Sequence, residues 1–249
     1  MDTVKPVLFV SDLHLAAARP QIHQTFLRFL QEEAREAAAL YILGDLVEYW
    51  VGDEDADEEF NRGIIAAIAA LSQSGVPVYL MHGNRDFLIG RKAAKRAGLQ
   101  LLADPTVIDL FGQRTLLMHG DTLCTDDLAY MKARARWRRP LILRAFLAMP
   151  LALRRRIGGK LRATSERTKR DTPAALMDVN QQEVERVLRA NAYPRLIHGH
   201  THRPARHLHQ LDGNQCERWV LGDWYQSGSY LRCDAQGCRS VALLNQAAL

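Results

Sequence analysis

Five short stretches of the chain carry side chains able to hold metal ions: Asp12-x-His14, Gly44-Asp45, Gly83-Asn84-Arg85-Asp86, His119-Gly120-Asp121 and His198-Gly199-His200. A Gly-Asp pair alone is an ordinary turn. Five such groups in series, each behind a short β-type run, are not. Asp12, His14, Asp45, Asn84, His119, His198 and His200 supply carboxylate, amide and imidazole donors and no thiolate, a set that suits Mn²⁺ or Fe²⁺ better than structural zinc. They are too many for one ion and right for two that share a carboxylate, with Asp45 the candidate bridge. Paired divalent ions about 3.5–4 Å apart activate water and neutralise phosphoryl oxygens, the chemistry of phosphate-ester hydrolysis.

The elements that must position these groups alternate at βαβ spacing. Strands are expected at 7–11, 40–43 and 78–81, delivering Asp12, Asp45 and Asn84 to the loops that follow. Between them, 21–38 reads as an amphipathic helix with Ile22, Phe26, Phe29 and Leu30 on one face. The acidic run 53–59 opens a second helix through about 74. A short helix follows at 91–98. A hairpin around Gly112 feeds His119, and a strand at 195–197 feeds His198. Strand-like runs in the tail (219–221, 230–233, 240–244) predict a second sheet packed on the first, so the fold class is α/β and layered.

With 249 residues, 47% of them apolar and 24% charged, the chain has the make-up of a globular α/β domain with room for an appended subdomain. Its net charge of +5 favours anionic partners. The N-terminus enters a strand at once, with no signal-peptide h-region, and no run is apolar and long enough to span a membrane. Cys124, Cys216, Cys233 and Cys238 lack zinc spacing and are expected as free cytosolic thiols.

Residues from about 126 to 179 break the rhythm. They are helical by composition, and from Leu128 to Arg170 the only acid is Glu166. An apolar strip, 141–153, is interrupted by Arg144 and broken at Pro150. Basic flanks beside an apolar strip predict a greasy lid or an element that meets anionic lipid; a buried helix within a solvated basic insert is the plainer reading.

The series Asp12-x-His14, Gly44-Asp45, Gly83-Asn84, His119-Gly120 and His198-Gly199-His200 resembles the calcineurin-like metallophosphoesterases. That resemblance implies a two-sheet β-sandwich flanked by helices. It also implies one ion on Asp12, His14, Asp45 and His200, and a second on Asp45, Asn84, His119 and His198. Where most of that superfamily has a histidine after the asparagine, this chain has Arg85. Arginine cannot give up a proton at neutral pH, but its fork binds phosphate oxygens. An alkoxide leaving group would lack its acid; a phosphate monoester, with a second pKa of about 6, needs none. Arg85 therefore points to cleavage between two phosphorus atoms.

Longer stretches narrow the likeness. Residues 11–15, 44–53, 82–88, 119–127, 177–180 and 198–204 resemble the UDP-2,3-diacylglucosamine diphosphatases of lipid A biosynthesis over essentially the whole chain, with Val47 where phenylalanine is commoner. The resemblance implies a single domain (1–249) with a helical lid insertion at about 126–179. It implies two divalent ions, Mn²⁺ foremost. Water would attack the α-phosphorus of UDP-2,3-diacylglucosamine, giving UMP and 2,3-diacylglucosamine 1-phosphate. The catalytic residues would be Asp45, Asn84, Arg85 and His198, and the substrate contacts Asn84, Arg85, Asp127, Ser165, Lys169, Thr172 and His198. Lys169 and Thr172 differ in identity from the family pattern. Asp86 and Asp121 are expected to orient ligands, and His202, His207 and His209 to be structural or surface residues. A cytoplasmic monomer, peripheral on the inner face of the inner membrane through its basic apolar insert, completes the expectation. Another nucleotide-diphosphate hydrolase on the same scaffold would explain Arg85 but not the insert. A non-catalytic scaffold would not need all seven ligand positions filled. Nucleic acid is not an expected partner, because Trp137 and Phe146 form no repeated aromatic platform.

Overall fold

The computed structural model describes residues 4–171 and 178–243, with the side chains of 166–171 excepted. Its elements run β1 (Val7–Val10), α1 (Pro20–Gln31), β2 (Ala39–Ile42), α2 (Glu59–Gln73), β3 (Val78–Met81), α3 (Arg91–Ala97), β4 (Leu99–Leu102), β5 (Thr106–Leu110) and β6 (Gln113–Met118). They continue α4 (Leu128–Trp137), α5 (Pro140–Leu147), α6 (Leu151–Asp171), α7 (Gln181–Ala190), β7 (Arg195–His198), β8 (Ala205–Leu211), β9 (Asn214–Val220), β10 (Ser229–Asp234) and β11 (Gly237–Ala242).

The strands form two mixed sheets, ordered β11-β10-β1-β2-β3-β4 and β5-β6-β7-β9-β8. β1, β2, β3 and β4 are parallel neighbours, as are β6, β7 and β9. Parallel strands covered on both faces read as continuous apolar runs, and Val-Leu-Phe-Val is one. Alternation along β1 sends Phe9 between the sheets, against Leu43, Met81, Leu117 and Ile197, while Leu8 and Val10 meet the helices. On that outer side Phe26 and Phe29 of α1 pack edge-on against fully buried Trp224. Truncating Phe29 to alanine there would cost about 3–5 kcal/mol. The second sheet's outer face is covered by Val184 and Leu188 of α7, which lie on Leu116 and Leu196. The order of layers is helix, sheet, sheet, helix, as expected from the sequence.

Several boundaries differ. The helix expected at 21–38 stops at Gln31, and a 3₁₀ turn, Ala34–Glu36, with Ala34 buried, leads the chain into β2. The acidic run is a 3₁₀ turn, Asp53–Asp57, rather than helix. Its carboxylates bind backbone instead: Asp53 accepts from Gly90 N (2.6 Å), Asp55 from Val51 N (3.2 Å), and Glu58 caps α2 by accepting from Asn61 N (3.1 Å). β4 and β8 were not anticipated; β8 is a half-exposed edge strand whose alternation is carried by polar residues. Pro150 separates α5 from α6, as its position implied.

The cysteine expectation is corrected in part. Cys124 and Cys216 are buried free thiols, but Cys233 and Cys238 form a disulfide. They face one another across the β10–β11 hairpin with their Cα atoms 4.1 Å apart, a registry invisible before the turn at 235–236 is known.

Candidate active site

All the ligand candidates leave the carboxyl ends of parallel strands: Asp12 and His14 after β1, Asp45 after β2, Asn84 after β3, His119 after β6, and His198 and His200 at and after β7. Open α/β sheets bind ligands at such ends. The backbone there is unusual. Asp12, His14, Asp45, His200 and His202 all have positive φ, between 48° and 71°. Non-glycine residues rarely adopt this conformation, and it persists only where surrounding structure enforces it. The enforcement is visible. Asp12 N donates to Gly44 O (3.1 Å) and His14 N to Asp45 O (2.9 Å), lacing the first loop to the second. Asp86 accepts from Leu46 N and Gly83 N, both at 2.8 Å, lacing the second to the third. Gly83 passes so close to Asp45 that a Cβ would overlap its carboxylate and backbone nitrogen.

Asp45 turns one carboxylate oxygen to each side. Oδ2 lies 3.7 Å from His14 Nε2, and Oδ1 lies 3.9 Å from His119 Nε2. His119 Nε2 is also 3.1 Å from Asn84 Oδ1, while its Nδ1 is 2.8 Å from Leu43 O. The donor atoms of Asp12, Asp45 and His119 converge within 4.8 Å of one another, as do those of Asp12, His14 and His202. Asp12 is common to both groups, and Asp45 belongs to one while its Oδ2 faces His14 of the other.

The electrostatics show a buried excess of negative charge. Burial pushes the Asp45 carboxyl up to about 7, helped by Asp86 and Asp12 and opposed by His119. His119 goes up to about 9: burial works against its charged form, but Asp45, Asp121 and Asp12 outweigh it. Asp12 is also wholly buried, yet the imidazoles of His202, His119 and His14 hold it far below the ordinary carboxylate range. Its Oδ1 faces His202 Nε2 at 3.4 Å and His14 Nε2 at 3.9 Å. Convergent oxygen and nitrogen donors that draw protons onto imidazoles are what a divalent cation would neutralise, so the residues fit the ions their types imply.

His198 and His200 stand differently. The His200 backbone N donates to Asp12 Oδ2 (2.7 Å), and its ring packs 5.0 Å from His119 and 5.8 Å from Tyr130, lining the cavity. His198 is buried with Nδ1 on Gly199 O (2.9 Å) and Nε2 on Arg218 Nη1 (3.2 Å). Burial first, and Arg218 next, push it down to about 3.

Around the cluster opens a cavity of about 780 Å³. Asp45, Asn84 and Arg85 line it, and so do Trp50, Leu88, Trp137, Leu143, Phe146 and Leu161. Arg85 donates its backbone N to Asp45 Oδ1 (2.8 Å), and its side-chain Nε is buried without a hydrogen-bond partner. Asp127 caps α4 by accepting from Tyr130 N (2.9 Å) and lines the cavity, as does Ser165. Lys169 lies on α6 among the undescribed side chains, and Thr172 falls outside the described residues.

Three residues near the cluster, His202, Asp223 and Glu48, escaped the sequence reading. His202, expected to be structural or surface, lies in the cavity wall with Nε2 3.4 Å from His14 Nε2 and Nδ1 3.2 Å from Asp223 Oδ2. The signals were present: His202 extends the His-x-His-x-His alternation, and Gly222-Asp223 repeats the Gly-Asp pattern after β9. Glu48, 3% exposed, takes Arg19 (2.5 Å) and Arg162 of α6 (3.3 Å) and sits 3.8 Å from His14 Nδ1; nothing local in sequence marked it. Asp121, buried, accepts from Tyr130 Oη (2.7 Å) and Arg134 Nε (2.5 Å); His119 and His200 first, and Arg134 next, hold it well below the ordinary range despite burial. It anchors α4 beside His119, as well as facing that ligand electrostatically.

Comparison with known proteins agrees with this geometry. The calcineurin-like phosphoesterase family model matches residues 5–204. A protein of Aromatoleum aromaticum named UDP-2,3-diacylglucosamine hydrolase is 50% identical over 230 residues, 92% of this chain and 94% of its own. Proteins of the same name from Pseudomonas aeruginosa (51% over 235 residues, 94% and 98%) and Serratia proteamaculans (49% over 234 residues, 94% and 97%) are similarly close. A match over four-fifths of the chain, on a scaffold whose strand ends gather these carboxylates and imidazoles, places the chain in the calcineurin-like phosphoesterase family.

Proposed function

We propose that the chain hydrolyses the pyrophosphate bond of UDP-2,3-diacylglucosamine, releasing UMP and 2,3-diacylglucosamine 1-phosphate for lipid A synthesis. The observation that carries this reading is the single cavity lined both by Asp45, Asn84 and Arg85 and by the apolar side chains of the lid helices. A water-soluble nucleotide would need only the first set. Relatives at about half identity carrying this substrate in their names support it.

Asp12, His14, Asp45 and His200 would hold one divalent ion, and Asp45, Asn84, His119 and His198 the second, Mn²⁺ being the ion we favour. Bound there, such ions activate water and neutralise the phosphoryl oxygens. His202 stands close enough to Asp12 and His14 to share the first group. Arg85 Nε, buried beside Asp45 with no acceptor of its own, is placed to take a phosphate oxygen. The bond that breaks joins the α-phosphorus to the bridging oxygen. The electrons leave on a sugar phosphate monoester that needs no proton at neutral pH, which is why arginine serves where an acid would otherwise be required. The hydroxyl from water ends on UMP. Asp127 and Ser165, with Lys169 and Thr172, would meet the substrate under the lid, a single-domain insertion over 126–179.

The lid also offers a membrane-facing surface. Lys132, Arg136, Arg139, Arg144, Arg156 and Lys160 are exposed beside exposed Leu128, Leu141, Leu147 and Leu153. Each basic residue near an anionic leaflet contributes about 1 kcal/mol. Among the described residues no helix is long and apolar enough to cross a membrane. Through this basic, leucine-studded surface we place the chain as a peripheral monomer on the cytoplasmic face of the inner membrane. The test of function is turnover of UDP-2,3-diacylglucosamine in ¹⁸O-water with and without Mn²⁺. Ion-dependent cleavage with label in UMP is expected. Label in the sugar phosphate would overturn attack at the α-phosphorus, and turnover of UDP-glucose or ADP-ribose alone would overturn the lipid substrate.

A further inference from the structure

Arg218 is a buried guanidinium, 3% exposed, on the outer face of the second sheet. Among the described residues it has no ion-pair partner; Asp178 acts on it only at a distance. What it touches instead are two imidazoles. Its Nη1 is 3.2 Å from His198 Nε2, and its Nε is 3.3 Å from His209 Nε2. Arginine has five N–H donors and no acceptor. Each of those ring nitrogens must therefore present a lone pair, and each proton must sit on Nδ1. For His198 a second contact requires the same: Nδ1 is 2.9 Å from Gly199 O, an oxygen that can only accept. Two independent neighbours thus fix one tautomer, with both ring nitrogens engaged.

Given the reading above, in which His198 belongs to the second ion, this arrangement has a consequence. Ligation through Nε2 must displace Arg218. Ligation through Nδ1 must move the ring proton to Nε2, where it would point at a guanidinium donor. The first group differs: His14 Nε2 faces Asp45 Oδ2 at 3.7 Å and His202 Nε2 at 3.4 Å, and an imidazole nitrogen, unlike a guanidinium, can accept the proton as well as donate it. We propose that Arg218 is a positioning residue that holds His198 in its Nδ1–H tautomer and thereby makes the second ion the weaker and more exchangeable of the pair.

The tautomer is read directly, without any variant, from long-range ¹H–¹⁵N correlations in metal-free, histidine-labelled protein, with His198→Gln assigning the signal. A protonated Nδ1 and bare Nε2 are expected; a protonated Nε2 overturns the proposal. Mn²⁺ titration by calorimetry gives the second readout. The native protein should show two classes of site, and Arg218→Met should tighten the weaker class by at least about tenfold, the size of one charge-assisted hydrogen bond. Arg218→Lys, which keeps a charged donor, should keep the classes apart. Unchanged or weaker second-ion binding in Arg218→Met would refute the role. If neither protein takes a second Mn²⁺ even at millimolar concentration, the two-ion reading falls, and the tautomer measurement still judges what Arg218 does to His198.

Discussion

Replacing Arg154 by methionine should loosen the lid without touching the metal cluster. Arg154 is only 2% exposed, although it belongs to the most basic stretch of the chain. Its Nη1 donates to Val51 O (2.5 Å), its Nε to Met149 O (3.0 Å), and its Nη2 meets Glu54 Oε2 at 3.1 Å. Gly52 has no Cβ where one would collide with Nη1, so the loop is shaped for this guanidinium. Methionine keeps the apolar stem and deletes every donor. Hydrogen bonds from a charged donor contribute about 1.5–3 kcal/mol each. The pair with Glu54, a largely exposed partner, adds under about 1 kcal/mol. Met149 lies within the lid, so docking loses the Val51 bond and the Glu54 pair, together about 1.5–4 kcal/mol, and the lower figure already raises the opening equilibrium by roughly tenfold. Hydrogen exchange should report this as faster exchange across the first turns of α6, with β1–β3 as protected as before. KM for the diacylated substrate should rise more than kcat falls. Unchanged exchange in α6 would refute the reasoning. So would loss of protection spreading into β1–β3, since Arg154 would then be holding the core rather than the lid.

Gly83→Ala should reduce turnover by about 10²-fold or more and weaken Mn²⁺ binding while thermal unfolding barely shifts, because the added methyl displaces Asp45 rather than core atoms; an active variant with full ion content would contradict the close approach. Cys238→Ser, or reductant on the native protein, should lower stability by about 2 kcal/mol, the loop-closure value for so short a ring, and Tm by about 4–8 °C; no shift in a thermal melt would show the bond contributes nothing. Asp121→Asn should destabilise by about 3 kcal/mol at pH 7, where the carboxylate pairs with Tyr130 and Arg134. The folded pKa of Asp121 lies below the unfolded value, so its contribution is complete above about pH 4 and vanishes as pH falls through the folded value. Melts from pH 3 to 8 should show the gap between native and variant closing only at the acid end, and a gap constant with pH would count against a charged Asp121.

Much of the site was legible because strand exits are local events. Asp12, Asp45 and Asn84 follow apolar runs of at least four residues, and His119 and His198 shorter ones, and a carboxylate, amide or imidazole at such a junction can be read without knowing what lies opposite. Facts decided by partners distant in sequence were not legible. Glu48 is defined by Arg19 and Arg162, and Asp223 by His202. Nothing around Arg218 in the sequence marks it, and its burial follows from pairing β9 between β7 and β8 under α7. The Cys233–Cys238 bond depends on hairpin registry in the same way. The acidic run 53–59 misled for a different reason: Glu58 does cap a helix N-terminus, but Asp53 and Asp55 bind backbone N–H groups outside that helix instead.

The basic insert shows how composition overstates a single role. Read as a sequence, its arginines form one cationic band. In the structure they divide. Arg134 pairs with Asp121, Arg138 donates to Gly83 O (2.9 Å) and lies over the Phe87 ring, and Arg154, Arg155 and Arg162 grip Glu54, Asp55 and Glu48. These five face inward and fix α4 and α6 on the loops that follow β2, β3 and β6. The outward set, Lys132, Arg136, Arg139, Arg144, Arg156 and Lys160, stands among exposed leucines. The two sets answer to different tests. Salt should weaken binding to anionic vesicles through the outward charges, which screening reaches within about 10 Å, and act far less on lid docking through buried Arg154. An outward set reduced to neutral residues should therefore lose vesicle binding yet keep α6 protected from exchange, while Arg154→Met does the reverse. Variants that moved both readouts together would mean that the lid closes only against a membrane, and that the inward contacts are a consequence of docking there rather than its cause.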